Sequence, residues 1–238
     1  MSGCRFNAKN TLPKNYLGLA EKAGAEVFPM TTATKIEKLP SGEWKISTRK
    51  TDDWLGERGS VFFAKDVIVA AGTFNTQKLL HKMKDGKVLP EISDRLGDLS
   101  RTNSEALTGA LMQNTDIDYS DGSAITSSFF PDENTHIEPV RYGKGSNLMG
   151  LLQTIMTDGY SSQDRRKQWW KQFVANPKLL LKILNVRRWS QRTVIALTMQ
   201  NVDSSISVRG KKSLFGWRLT STNDPEHPNA TYIPAANE

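Results

Sequence analysis

The chain has 238 residues, a formal net charge of +7 and 37% hydrophobic residues, which is enough apolar material for one large core or two modest ones. This composition excludes a wholly disordered chain, and no apolar run approaches the about 20 residues that a membrane-spanning helix requires. The first residues are polar and basic, which is not typical of a secretory signal, and the single Cys4 cannot form an internal disulfide. We therefore expect a globular protein in a reducing, cytoplasmic setting.

The first part of the chain predicts a helix followed by a small antiparallel sheet. Apolar residues recur with helical spacing and then stop at Gly24, which indicates a helix over residues 12–23. Apolar and polar residues alternate over 26–50, on both sides of a Pro-Ser-Gly turn, and again over GSVFFAKDVIVAAG at 59–72. Such alternation, interrupted by turn residues, predicts an antiparallel meander.

The sequence DVIVAAGTFNTQKLLH follows, and its first six residues are mostly apolar. We predict a buried strand over residues 66–71. We also predict a helix from Thr76 to about Lys84 that ends at Asp85-Gly86. A strand, a small-residue turn and a helix begin many nucleotide-binding half-domains, but this turn has the single glycine Gly72. A phosphate-binding Gly-x-Gly-x-x-Gly turn after a strand is absent from the whole sequence.

Beyond residue 98 the pattern changes to several strands with a helical region between them, so we expect a domain boundary near 95–105. The stretch GKGSNLMG at 143–150 has the wrong glycine spacing for a nucleotide loop and no buried strand before it, and we interpret it as an ordinary loop. The sequence has no internal repeat and no low-complexity linker.

Residues 165–192 hold nine Lys or Arg and no acid, so the rest of the chain sums to −2. Trp169, Trp170 and Trp189 lie in this basic segment, which is typical of an amphipathic surface helix with a membrane-binding or partner-binding face. The alternative is a solvated helix that packs its leucines on the core. Nucleic-acid binding is not expected, because no nucleic-acid-reading motif accompanies the charge.

Four segments, in order, resemble the interior of one family. They are GCRFNAKNTLPKNYLGLAEKAGAEV, DVIVAAGTFNTQKLLH, RLGDLSRTNSEALTGA and SSISVRGKKSLFGWRLT. Together they are similar to glucose-methanol-choline (GMC) flavoprotein oxidoreductases of the cholesterol-oxidase-like branch. The resemblance runs over nearly the whole chain. It explains a nucleotide-type strand without a glycine loop, since in such proteins an earlier segment binds the pyrophosphate and later strands complete the sheet.

The resemblance implies a mixed α+β and α/β fold with two parts. Residues 1–97 would form part of an FAD-binding domain, and residues 98–238 would form a substrate domain with an antiparallel sheet covered by helices. Complete family members are roughly twice as long, and they add an N-terminal glycine loop and a C-terminal segment with a His and an Asn. We therefore expect an internal fragment, or one chain that requires a complementary chain.

The resemblance also implies the residues that contact FAD. In related proteins the first strand after the AEKAGAEV helix lies along the adenine, which here indicates Thr32, Ala33 and Thr34. The small-residue turn at Ala71, Gly72 and Thr73 would form a second contact. Ordinary sheet packing is the alternative for all six residues, which are Thr32, Ala33, Thr34, Ala71, Gly72 and Thr73. We expect no metal site.

Two residues are candidates for the chemistry of alcohol oxidation. Glu138 resembles the active-site glutamate of steroid oxidases, with His136 where an aromatic wall residue is expected, although Glu138 could equally be an ordinary strand residue beside Arg141. Asn103 lies in a loop that connects the two domains in the family, and it could line the boundary between flavin and substrate. His81, His136 and His227 are otherwise expected at the surface or at helix ends.

The expected function is that of a fragment of an FAD-dependent oxidase or dehydrogenase, with hydride transfer from a sterol-like or other bulky apolar alcohol to the flavin. Peripheral membrane contact through 165–192 would help such a protein to reach its substrate. The alternative is a catalytically inactive remnant, or one chain of a split flavoenzyme.

Overall fold

The computed structural model describes residues 6–53, 58–101, 103–113, 116–214 and 216–238, so that Cys4 lies outside the described residues. The chain forms two compact units. The meander unit comprises Asn10–Arg101 and Ser205–Glu226, and the sheet unit comprises Met1–Lys9, Thr102–Ser204 and His227–Glu238. The chain thus passes between the units near residue 101 and returns to the meander unit for a late segment, 205–226.

The meander unit begins with helix α1 (Tyr16–Lys22), which starts where the Asn15 side chain accepts a hydrogen bond from the Tyr16 N–H. The predicted helix is confirmed, although residues 12–15 form a turn. Strands β1 (Thr31–Lys38), β2 (Trp44–Lys50) and β3 (Val61–Ala64) follow as an antiparallel sheet in that order. This confirms the predicted meander, which follows from alternating side chains and a turn at Gly42.

The strand predicted over residues 66–71 is wrong. This segment is irregular chain between β3 and helix α2 (Gly72–Asp85), and Ile68 is 92% exposed. A strand needs a partner for its backbone N–H and C=O groups, and no other described segment pairs with this one. Ile68, Ala70 and Ala71 are exposed, while Val67 and Val69 are half-buried. Helix α2 ends before Gly86, as the sequence predicted.

A late hairpin completes the meander unit. Strands β8 (Ile206–Ser213) and β9 (Gly216–Asn223) pair with each other, and Ser100 forms an isolated antiparallel bridge to Ile206. The Trp217 indole N–H donates to Asp85 Oδ2 over 2.6 Å, which fixes the hairpin to the end of α2. The small apolar core of this unit contains Ile36 on β1 and Met83 on α2.

The sheet unit contains a four-stranded antiparallel sheet in the order β4-β7-β6-β5. Its strands are β4 (Ser104–Leu111), β5 (Phe129–Asp132), β6 (Thr135–Val140) and β7 (Thr193–Gln200). Between β6 and β7 lie a 3₁₀ helix (Asn147–Leu152), α3 (Ser162–Ala175), α4 (Pro177–Ile183) and α5 (Trp189–Arg192), and a second 3₁₀ turn (Pro234–Ala236) follows near the C-terminus. Every pair of strands named here is antiparallel, so the architecture is α+β.

The basic segment 165–192 is not one amphipathic helix. Asn176 has a non-helical backbone (φ −146°, ψ 74°), and Pro177 begins α4, because a proline lacks the N–H that would continue α3. Leu179 and Leu180 are half-buried while Leu181 is exposed, so part of the leucine cluster does pack inward. None of the described helices is long and apolar enough to cross a membrane.

Candidate active site

The register of the four-stranded sheet places Glu138 on one defined face. Glu138 on β6 is opposite Leu197 on β7, and Leu197 is opposite Leu107 on β4. Residues directly opposite each other in antiparallel strands project to the same face. Val140, two residues after Glu138, shares that face and is opposite Ile195. The carboxylate therefore lies in a row with two leucines and beside an apolar strip.

This face of the sheet forms one wall of a cavity of about 320 Å³. Side chains of the 3₁₀ helix and of residues 153–156 form the opposite wall, and Trp189 and Tyr142 complete it. The lining is mainly apolar, with a few polar groups such as Thr193 and Gln153. A concave, mostly apolar space of this size is typical of small-molecule binding sites, which range over roughly 300–1,000 Å³.

The residues that line the cavity differ widely in exposure. Trp189, Thr193 and Ile195 are buried, with Trp189 only 4% exposed. Leu107 and Leu152 also line the cavity but are mostly exposed, Leu152 at 80%. On the strand face that forms one wall, exposure thus increases from Thr193 and Ile195 towards Leu107, which shares a cross-strand row with Leu197 and Glu138, two residues outside the lining. We call the side of the cavity at Leu107 its open end and the side at Trp189 its closed end.

Polar side chains lie near Glu138 on the same strands, outside the cavity lining. The Asn103 amide donates to Glu105 Oε2 over 3.2 Å, and Glu105 is in the same cross-strand row as Met199 and His136. His136 Nε2 lies 3.8 Å from Glu138 Oε1. Both predicted catalytic residues thus belong to the sheet unit, and their neighbours Glu105 and His136 lie on the cavity face of the sheet.

His136 has a more specific environment than a surface histidine. Its ring centroid is 5.6 Å from that of Phe130, and the residue is half-buried. Its ring thus lies between Phe130 and Glu138, outside the lining of the cavity, and the wall role expected at this position stays a prediction. The carboxylate of Glu138 can accept a hydrogen bond or a proton from a hydroxyl group presented at the open end of the cavity.

The first predicted FAD segment, at Thr32, Ala33 and Thr34, lies on β1, an edge strand of the meander sheet. The pairing of β1 with β2 is irregular between Ala33 and Lys35, so Thr34 is an extra, exposed residue in the strand. Thr34 Oγ1 donates to the Ser47 carbonyl over 3.1 Å. Ala33 and Thr34 are therefore exposed on a sheet edge, where a flat ring can lie against the backbone.

The second predicted FAD segment, at Ala71, Gly72 and Thr73, is the exposed start of α2. Gly72 has φ +75°, a conformation that favours glycine, and Ala71 caps the helix without a side-chain hydrogen bond to the first turn. The Ala71 N–H donates to Thr76 Oγ1. Exposed N–H groups at a helix start, with no side chain at Gly72, fit a cofactor that approaches the backbone closely.

Helix α2 and β1 do touch, but not at these segments. The Ile36 N–H lies 3.4 Å from Met83 Sδ, and Met83 is ten residues beyond Thr73 along the helix. This contact therefore does not bring the two predicted FAD segments together. Among the described residues, no cluster of three His, Cys, Asp or Glu is placed to hold a metal ion.

His81 is not a surface histidine. It lies near the end of α2, as expected, but is only 4% exposed, and its Nε2 has no hydrogen-bond partner. Burial lowers the pKa of the imidazole, Arg209 and Lys84 lower it further, and Asp85 and a hydrogen bond with the Val208 backbone oppose the shift. The neutral imidazole is thus part of the core of the meander unit.

Several cavity residues were missed from the sequence. Trp189 was assigned to a membrane-binding face, but its indole N–H donates to Gln153 Oε1 over 2.9 Å inside the unit. Gly150 packs beneath the same indole. The available signal was the small residue in NLMGLL and the tryptophan just before an apolar strand, and neither indicates by itself that the two segments meet.

Comparison with known proteins agrees with the family resemblance. The chain is 50% identical over 245 aligned residues to a protein named cholesterol oxidase from Mycobacterium tuberculosis, and 37% identical over the same length to a protein of that name from Acinetobacter baumannii. Both alignments include the whole of this chain but only 42% and 44% of the relatives. No family model matches the chain. The identity over the full length of the chain confirms the resemblance to the cholesterol-oxidase-like branch of the GMC oxidoreductases, and the chain spans less than half the length of these relatives.

Proposed function

We propose that the chain forms the substrate-binding part, and a portion of the FAD-binding part, of an oxidase or dehydrogenase acting on a sterol-like or other bulky apolar alcohol. The observation that supports this most directly is the apolar cavity, whose lining includes Val140, two residues after Glu138 on the same face of the sheet. An apolar alcohol would place its hydrocarbon body in the cavity and its hydroxyl group near the carboxylate. The relatives named cholesterol oxidase agree with such a substrate.

In this proposal Glu138 is the base that accepts the hydroxyl proton. The carboxylate lies 3.8 Å from the His136 imidazole, so a proton taken up at Glu138 has a second acceptor nearby. Asn103 holds Glu105 through a hydrogen bond, and Glu105 lies in the same cross-strand row as His136. FAD, when bound, supplies the acceptor for the hydride. Ala33, Thr34 and Gly72 would contact it through exposed backbone.

The test is sterol binding by the chain itself, because binding in the cavity requires no flavin. Cholesterol dispersed in cyclodextrin is titrated into the chain, and quenching of tryptophan fluorescence reports binding beside Trp189. A Val140→Asp variant, which introduces a charge into the apolar lining, serves as the matched control. Saturable binding by the native chain that the variant loses supports the proposal, whereas equal signals from both would refute it.

A second candidate is a catalytically inactive remnant, or one chain of a split flavoenzyme. The meander unit favours it, because α1 has no buried residue and the apolar segment 66–71 lacks a strand partner. Such surfaces are unstable in water unless another polypeptide covers them. The flavin absorbance of the purified chain distinguishes the candidates: a stoichiometric yellow cofactor would exclude the inactive remnant, and colourless protein would support it.

We also propose peripheral membrane contact, through a smaller surface than the whole segment 165–192. Trp170 is 59% exposed, and Val174, four residues later on the same face of α3, is also exposed. The exposed Lys167 and Lys171 flank these two side chains. An aromatic residue surrounded by basic ones binds anionic lipid interfaces, with about 1 kcal/mol per basic residue near the surface. Trp189, being buried, has no part in this contact.

A further inference from the structure

The closed end of the cavity is built around the indole of Trp189. This side chain is buried, lines the cavity, and packs against the Tyr142 ring, with centroids 5.7 Å apart. Trp189 precedes β7, so it lies beyond Thr193, at the end of the sheet opposite to Leu197 and Glu138. Any ligand that enters from the open end with its hydroxyl near Glu138 therefore directs its far end towards the indole.

Position 150 requires a glycine because the Trp189 indole lies against it, and not because of the backbone conformation at that position. A Cβ atom at Gly150 would lie 2.7 Å from Trp189 Cδ1 and 2.8 Å from Cγ, closer than such contacts occur in proteins. The backbone of Gly150 does not lie in the left-handed region that favours glycine. Because Gly150 has no side chain, the Trp189 indole occupies the space beside it and does not extend further into the cavity.

Gln153 holds the indole in this withdrawn position. Gln153 Oε1 accepts the hydrogen bond from Trp189 Nε1 over 2.9 Å, and Gln153 Nε2 donates to the Ile183 carbonyl over 2.5 Å. The amide thereby connects the tryptophan to the end of α4. The hydrogen bond to Gln153, which also lines the cavity, satisfies the indole N–H. The indole therefore presents its apolar faces to the cavity.

We infer that Trp189, held by Gly150 and Gln153, determines the length of the apolar alcohol that the cavity accepts. The inference rests on the proposed function, since it takes the hydroxyl to be at Glu138. Leu197, opposite Glu138, lies four positions after Thr193 at the closed end, which corresponds to about 13 Å along the strand. The ring nucleus of a sterol extends along this distance, and its alkyl side chain then meets the indole.

The experiment compares the binding of two sterol alcohols that share one ring nucleus, cholesterol and an analogue without the alkyl side chain on ring D. Both are titrated into the native chain, Trp189→Phe, Gly150→Ala and Leu148→Ala, and binding is measured by calorimetry so that no tryptophan is needed. Leu148 lies in the same 3₁₀ helix but is exposed and outside the cavity lining, which makes it a matched control. Thermal unfolding of each variant confirms folding.

Trp189→Phe enlarges the closed end and should raise the affinity for cholesterol relative to the short analogue by about tenfold, while Gly150→Ala pushes the indole inwards and should lower this ratio by a similar factor. Leu148→Ala should leave the ratio unchanged. If Gly150→Ala does not fold, the Trp189→Phe ratio decides alone. Native binding of both sterols with an unchanged ratio in Trp189→Phe would overturn the inference and leave the proposed function intact. Failure of the native chain to bind either sterol would overturn both.

Discussion

Glu138 and Leu197 are directly opposite each other across β6 and β7, and this pairing decides that the carboxylate lies on the cavity face of the sheet. A shift of one residue in the register would move Glu138 to the other face, because side chains alternate along a strand. The neighbouring pair of Ile137 with Thr198 projects to that other face, where both are buried. The burial of these two residues therefore fixes the orientation of Glu138.

This geometry predicts that Glu138 recognises the hydroxyl group of a sterol. Replacing Glu138 with Leu should weaken the binding of cholesterol by about tenfold, since a hydrogen bond to a charged group contributes about 1.5 kcal/mol. Binding of the corresponding 3-ketone, which has no proton to donate, should change little. Glu133→Leu, at the exposed turn between β5 and β6, is the control. Equal losses for the alcohol and the ketone in Glu138→Leu would show that the carboxylate does not contact the hydroxyl.

Replacing each of the two adjacent tryptophans of α3 should affect different properties: vesicle binding for Trp170 and thermal stability for Trp169. Trp170 is mostly exposed, whereas Trp169 donates to Thr154 Oγ1 over 2.8 Å and stacks on Phe173. Trp170→Ala should reduce co-sedimentation with vesicles containing phosphatidylserine and leave the thermal midpoint nearly unchanged. Trp169→Ala should lower the midpoint. Binding should also weaken with added salt, as expected for contacts between basic residues and anionic lipid.

Undiminished co-sedimentation of Trp170→Ala at low salt would contradict membrane contact through α3. It would leave the cavity and its sterol binding unaffected, because Trp170 does not line the cavity. Vesicles of phosphatidylcholine alone provide the uncharged reference.

His81 predicts a pH dependence for the stability of the meander unit. Its pKa is lower in the folded chain than the ordinary value of 6.5, mainly because of burial. The unfolded chain therefore binds more protons below pH 6.5, so stability is highest above that pH and declines as the pH falls through the folded-state pKa. The slope cannot exceed about 1.4 kcal/mol per pH unit for one group.

Urea unfolding between pH 5 and pH 8 measures this dependence. His81→Gln should reduce the loss of stability on acidification, while His136→Gln, in the sheet unit, should not alter the unfolding of the meander unit. An identical decline in the native chain and in His81→Gln would exclude the imidazole as its origin.

The free energy of unfolding should be sensitive to conservative replacement of Arg192. Its guanidinium is buried and donates to the carbonyl groups of Arg187, Met112 and Asn185, and burial lowers its pKa. A lysine cannot reproduce this fork of donors, so Arg192→Lys should cost about 2–3 kcal/mol of unfolding free energy. Arg187→Lys, at an exposed position, is the control, and denaturant unfolding is the measurement. Equal stability of the two variants would contradict this account.

The sequence by itself determined the local elements and the family. The meander, the end of α2 at Gly86 and the alternation in β6 depend on neighbouring residues: apolar spacing, turn residues and a helix stop act within a few positions. The candidate Glu138 also came from a short motif. Its resemblance to a steroid-oxidase glutamate identified it, and the sheet register places it on the face that also carries the cavity residue Val140.

Only the tertiary structure decided which side chains are buried and which segments meet. Trp170 and Trp189 look alike in a basic segment, but Pro177 interrupts the helices and Trp189 returns to the cavity, where Gly150 leaves room for its indole. Residues 66–71 have the composition of a strand, yet a strand forms only where another segment supplies hydrogen bonds. Burial and pairing are properties of two segments that are distant in the chain, so a pattern within one segment cannot specify them.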